Sequence, residues 1–195
     1  MRYDGRAHLA ALTLGCAAAL AACAPGLRAL APRELWLVPV FFGFANLVEW
    51  ALHRGPMHRF TRAFAGLHRR HVREHHAAFT GRSMAIRTHR DLQHVLFPPW
   101  LLPALLALLS PVTLALAAWS RAHATLFLAC AIAYYLAYEW LHALHHAPPE
   151  RWPASTALAR ALREHHARHH DPARMHHGNF NVSFPLWDVL LGTVL

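Results

Sequence analysis

Four long apolar blocks constrain this chain before anything else does. Residues 7–24, 34–52, 95–119 and 124–141 are nearly free of charge, and each is long enough to cross a bilayer as a helix. The segments between and after them are dense in Arg and His. A chain divided this way is expected to be an all-α membrane protein with about four transmembrane helices. Its histidine-rich helical parts, residues 53–94 and 142–195, are expected to form one domain with the spans, over residues 1–195. Strand signals are nearly absent.

The blocks differ in how firmly they can be read. Residues 7–24 fit either a retained span or a cleaved signal peptide, and Leu20-Ala21-Ala22-Cys23 is similar to a bacterial lipoprotein cleavage box. The embedded character of the later blocks favours a retained span. Pro25, Gly26 and Pro32 are expected to break the chain into a loop. Pro39 and Gly43 are candidate kink points in the second block. The third block carries Pro98, Pro99, Pro103 and Pro111, and reads as one bent span or a re-entrant hairpin. Ser120 to His123 reads as a tight turn. The apolar tail 185–195 is expected at the membrane surface.

Charge gives the orientation. All nineteen Lys+Arg residues are Arg, and the formal net charge is +9. Such a basic chain can suggest nucleic-acid binding. Here the arginines flank apolar spans, so the positive-inside rule explains them better, and no nucleic-acid partner is expected. With four spans, one side holds Arg2, Arg6, nine Arg in 53–94 and five in 147–195; the other holds Arg28, Arg33 and Arg121. The His-rich face is thereby assigned to the cytoplasm; the membrane expected is a bacterial inner membrane. Cys16, Cys23 and Cys130 all lie in apolar stretches and read as small helix hydrophobes.

Nineteen histidines are the compositional outlier. They gather in four clusters: His53/His58, His71/His75/His76, His142/His145/His146 and a run from His165 to His177. His166, His169 and His170 stand at i, i+3 and i+4, and so share a helix face. His71/His75 and His142/His146 are i, i+4 pairs. His53 and His58 are i, i+5, and the intervening Gly55-Pro56 is expected to break the helix and let them converge. Imidazoles at these spacings suit Fe, Zn, Cu or Ni. Eight to ten ligands exceed the needs of one metal, so two is the simplest count. Glu49, Glu74, Glu139, Asp171 and Asp188 are candidate carboxylates to orient the rings through their other nitrogen. His8, His89, His94 and His123 are expected to be solvated. A loose metal-storing tract would run its histidines together, whereas these are spread over helix ends. Lipid-headgroup binding explains the Arg but not the His spacing.

The pattern resembles the fatty acid hydroxylase/sterol desaturase superfamily of integral-membrane, non-haem di-iron oxygenases. The motifs that carry the resemblance are His53-x4-His58, His71-x3-His75-His76, His142-x3-His146 and His166-x2-His169-His170. They are followed by Asn179-Phe180-Asn181-Val182, Pro185-Leu186-Trp187-Asp188 and Gly192-Thr193. The resemblance runs from about Glu49 to Thr193. It implies that His53, His58, His71, His75, His76, His142, His146, His166, His169 and His170 hold two iron ions, with zinc able to replace iron in a purified sample. It also implies no catalytic residue beyond those ligands. Many members have two residues, not three, between the first His and the His pair of the second motif, so His68 competes with His71. His145, His165, His176 and His177 are surplus to the family's count.

The implied reaction is O2-dependent hydroxylation or desaturation of an unactivated C–H bond in a membrane lipid such as a fatty acyl chain or sterol. Electrons are expected from an external donor of ferredoxin or cytochrome type, because the chain carries no flavin, haem or nicotinamide motif. A carotenoid ring hydroxylase is a rival within the class. A membrane metal-binding or transport protein is a rival outside it, although transporters place their ionisable ligands near mid-membrane.

Overall fold

A computed structural model describes residues 3–80 and 83–195; Arg2 and Arg82, counted above for orientation, lie outside them. Four helices are long and apolar enough to cross a membrane. The first, α1 (Gly5–Leu27), is capped by the Asp4 carboxylate, which accepts from the Arg6 and Ala7 amides. It runs unbroken through the Leu20–Cys23 box, and Cys16 and Cys23 are buried. Pro25 does not break it. The helix continues to Leu27, and its last turn is packed so closely that a Cβ on Gly26 would lie 2.5 Å from Thr125 Oγ1.

The second, α2 (Leu37–Leu52), is entered through a 3-10 turn, Pro32–Trp36, and prolonged by a π-helical turn, His53–Met57. The chain then crosses the polar face in short pieces. These are α3 (Ala65–His68), a second π-helical segment Arg69–His75, α4 (His76–Ala78) and α5 (Leu92–Val95). It returns as α6 (Leu101–Trp119), one helix that carries Pro111 and begins only after Pro98-Pro99. The expected tight turn at 120–123 shrinks to Ser120 alone. That residue ends α6 and caps α7 (Arg121–His145), accepting from the His123 amide. Last come α8 (Ala157–His169), capped by Thr156, and the short α9 (Leu186–Leu190). Among the described residues there is no strand, only an isolated bridge between Thr80 and Ser83.

α7 is the axis of the bundle, because α1, α2, α6 and α8 all pack on it. It is the most buried of the four long helices; α6 buries no residue at all, and the outward faces of α1, α2 and α6 are apolar. Such surfaces suit lipid rather than water. The core of α1 and α7 is Leu12, Cys16, Cys23, Ala129, Ile132 and Tyr135. A second apolar cluster, Phe79, Met84, Leu92, Val95 and Leu96, lies under the polar segment. The His-bearing ends of α2 and α7, the segment 58–79 and α8 meet at one end of the bundle. The tail forms α9 along α2, where Trp187 Nε1–H donates to the Gly43 carbonyl at 2.8 Å.

Candidate metal centre

The fold gathers the four histidine clusters into two adjoining groups whose ligand atoms lie within 4.8 Å of one another. One is His53, His58, His71, His76 and His169; the other is His75, His142, His146 and His166. All nine are buried. His170 sits between the groups. Its Nε2 lies 3.0 Å from those of both His75 and His166, and its ring stacks on His76 at 4.2 Å.

The local backbone explains how these residues converge. His53 and His58 are not brought together by a helix break at Gly55-Pro56. The helix instead widens into a π turn, whose i→i+5 repeat matches their spacing. Arg69–His75 is also π-helical, and it lets His71 share a site with His76, five residues on. His68 lies outside both groups. Its Nδ1 contacts the Met57 carbonyl at 3.1 Å, and its ring meets Phe60.

Ring orientation follows from the hydrogen bonds. A carbonyl oxygen can only accept, so an imidazole nitrogen facing one must carry the proton. Nδ1–H donates from His53 to Phe180 O, His75 to His94 O (2.9 Å), His146 to Met84 O (2.8 Å), His169 to Gly178 O (2.9 Å) and His170 to Phe79 O (2.6 Å). In the neutral ring this leaves Nε2 as a bare lone pair, and all five lone pairs point inward. His75 and His170 are the clearest case, with two locked rings presenting Nε2 to Nε2 at 3.0 Å. Burial first, and neighbouring imidazoles after it, hold His71, His75, His146, His166, His169 and His170 well below the usual range, so these rings stay neutral. Neutral lone pairs converging at such distances repel one another unless a cation lies between them. Nitrogens each about 2.0–2.1 Å from one metal naturally fall about 3 Å apart. The donor set therefore fits metal ions.

The carboxylates act differently from the sequence expectation. Glu49 touches no ring. It accepts from the Val182 and Ser183 amides, from Ser183 Oγ at 2.5 Å and from the Tyr134 hydroxyl. Asp188 accepts from the Phe180 and Asn181 amides, Thr193 Oγ1 and the surplus His165. Burial raises its pKa, but these donors outweigh that and hold the carboxyl below the usual range. Glu139 accepts from the Phe97 amide, whereas Glu74 and Asp171 pair with Arg69 and Arg174 at the surface. The rings are oriented by backbone carbonyls, three of them from the segment 79–94 and two from the buried run that begins at Gly178. No residue-type signal announces such a carbonyl.

The other histidines sort by contact. His145 is fully buried and donates through Nε2 to the Val182 carbonyl at 2.8 Å. His176 is exposed, with its ring 5.2 Å from that of His58, and His177 is exposed too. The four expected to be solvated are each half-buried and paired: His8 with Tyr3, His89 with Asp4, His94 with Gln93, His123 with Ser120 and Glu34.

An apolar cleft of about 240 Å³ leads to this centre from within the bundle. α7 forms its floor, with Phe127, Cys130, Ala131, Tyr134 and Tyr138. α2 and α6 form its walls, and they pack on α7 rather than closely on each other. Its inner end reaches His53. Met57, Phe97 and Tyr138 also line a small hollow beside His71, His75 and His142, so these three side chains stand between the cleft and those histidines, while His53 faces the cleft directly.

A family model described as fatty acid hydroxylase matches residues 38–193. No curated protein matches the chain. Among solved structures the chain is similar to full-length scs7p, in which only the hydroxylase domain is visible. The TM-score is 0.65 at 20% sequence identity, covering 95% of this chain and 65% of that one. This chain thus spans just under two thirds of that relative's length, and the likeness is one of fold.

Substitutions at three positions test the geometry. His71→Ala should lower the ferrous or zinc ion bound per chain, whereas His68→Ala should leave it unchanged, as read by metal analysis after dialysis. Glu49→Ala strands two buried amides at about 1–3 kcal/mol each. It should lower the thermal midpoint, and through Phe180 and His53 weaken metal binding by about 10–100-fold. Glu49→Gln should fall between.

Proposed function

The chain belongs to the fatty acid hydroxylase family, and from that premise we propose that it is a membrane-bound di-iron oxygenase. Its substrate is a membrane lipid, hydroxylated at an unactivated C–H bond with O2 and electrons from an external donor. The observation that carries this reading is the pair of adjoining groups of buried histidines with Nε2 lone pairs turned inward. His53, His58, His71, His76 and His169 would hold one iron, and His75, His142, His146 and His166 the other, with His170 between them. Bound iron supplies what no side chain can, the activation of O2 for attack on a carbon that acid–base chemistry does not reach.

The chain's own residues contribute position and exclusion. The backbone carbonyls of Met84, Phe79, His94, Gly178 and Phe180 fix the tautomers, so no ring must reorient when metal binds. Burial of every ligand keeps bulk water from the oxidant. The apolar cleft gives a lipid a route from the bilayer past Tyr138. One oxygen atom enters the C–H bond and the other leaves as water, which consumes two electrons from the donor, a ferredoxin or cytochrome, and two protons from solvent. The arginine asymmetry read from the sequence supports a cytoplasmic position for this end of the bundle.

The test is product analysis. Protein reconstituted in liposomes with ferrous iron, O2 and a chemical or ferredoxin-based reductant should yield lipid heavier by one oxygen, and His146→Ala should yield none. A product lighter by two hydrogens would replace hydroxylation with desaturation. Full iron loading and reduction without any oxidised lipid would remove the oxygenase reading.

A further inference from the structure

The cleft has a definite far end. On α2 its lining begins at Phe41 and runs through Phe44, Ala45, Val48 and Leu52 to His53. These positions recur every three or four residues, so they form one stripe along the helix. The twelve residue steps from Phe41 to His53 span about 18 Å at the helical rise. On α7 the lining begins at Phe127 and ends at Tyr138, and on α6 it stops at Leu109. No residue beyond Phe41, Leu109 and Phe127 contributes among the described residues. Phe41 and Phe127 meet edge to face there, with ring centroids 5.7 Å apart.

The two ends differ in chemistry. Toward the histidines the lining includes Glu49, Tyr134, Tyr135, Tyr138 and His53; toward Phe127 it is hydrocarbon except for the Cys130 thiol. Phe44, Val48 and Leu52, which line the cleft, are also 59%, 39% and 40% exposed within a helix long and apolar enough to cross a membrane. The cleft is therefore open sideways, toward lipid. A volume of about 240 Å³ drawn out along α2 is a long slot of small cross-section. It suits a single flexible chain better than a rigid fused-ring skeleton.

Building on the lipid-oxygenase reading, we propose that the slot takes one acyl chain of a membrane lipid, tail toward Phe41 and Phe127 and reacting methylenes at Tyr138. The Phe41–Phe127 pair is then the stop that limits chain length. Ala131, midway along the floor, is the position where added bulk shortens the slot without touching the histidines.

The experiment uses the full chain in nanodiscs of dilauroyl-, dimyristoyl-, dipalmitoyl- or distearoyl-phosphatidylcholine, with and without cholesterol. Wild type is compared with Phe127→Ala, Phe41→Ala and Ala131→Phe. Bound lipid is read by native mass spectrometry and oxidised lipid by product analysis. Phe127→Ala and Phe41→Ala should shift bound and oxidised lipid toward longer chains, by about tenfold, as one or two methylenes in an apolar pocket can. Ala131→Phe should shift them toward shorter chains while leaving metal content at the wild-type value, which shows that it has folded. Unchanged chain preference in all three variants overturns the proposal, and so does retention of cholesterol in place of acyl lipid. If wild type oxidises nothing, the catalytic reading fails, but the bound-lipid measurement still decides the slot. Loss of long-chain lipid from Ala131→Phe supports it, and an unchanged lipid profile refutes it.

Discussion

Glu49 and Asp188 hold a buried, irregular stretch of backbone by its amides, and the histidine centre leans on that stretch. Phe180 and Asn181 donate to Asp188, and Val182 and Ser183 to Glu49. With the amides satisfied, the carbonyls are free to face inward. Those of Gly178, Phe180 and Val182 receive His169, His53 and His145. A Cβ on Gly178 would lie 2.2 Å from the Thr193 carbonyl, and Asn179 takes a positive φ of 55°. The stretch is thus pinned at its start by close backbone contact with the chain's end. Buried peptide groups need partners, and here they are supplied by two carboxylates on one side and histidines on the other.

From this scaffold comes the electrostatic logic of the site. Each carbonyl assigns the proton of a ring to Nδ1, and so turns a lone pair toward the centre. The rings remain neutral because burial opposes charge. Proton-bearing imidazoles would hydrogen-bond in pairs and need no guest. Lone pairs facing at 3.0 Å do need one. The two π-helical turns serve the same end by placing residues five apart on one site, at His53/His58 and at His71/His76. π turns cost hydrogen-bond quality and commonly mark functional sites for that reason.

Much of this was legible in the residues. Four apolar blocks announce four long helices, because nothing else of that composition satisfies its backbone in lipid. The i, i+3 and i+4 spacings pick out His142, His146, His166, His169 and His170, since the α-helical repeat holds there. Where the repeat changes, the sequence misleads. A broken helix was the natural reading of Gly55-Pro56, and the fold instead widens the turn. The competition between His68 and His71 could not be settled on α-helical spacing, for the same reason. The carboxylates were legible as important but not in role. Glu49 precedes His53 by one turn, which suggests a partner to the ring, yet it serves the backbone that serves the ring. His145 reads as surplus because no spacing rule foretells a ring that anchors Val182. α1 runs past Pro25 to Leu27 with Gly26 packed against Thr125, a tertiary contact that local breaker signals do not contain.

The central claim is that the inward-turned Nε2 atoms hold two metal ions, one in each histidine group. Diffraction from the iron-loaded protein, collected on both sides of the iron absorption edge, tests it most directly. Two anomalous peaks are predicted, one within reach of His53, His58, His71, His76 and His169 and the other of His75, His142, His146 and His166. A single peak, or peaks bound outside these histidines, would contradict it.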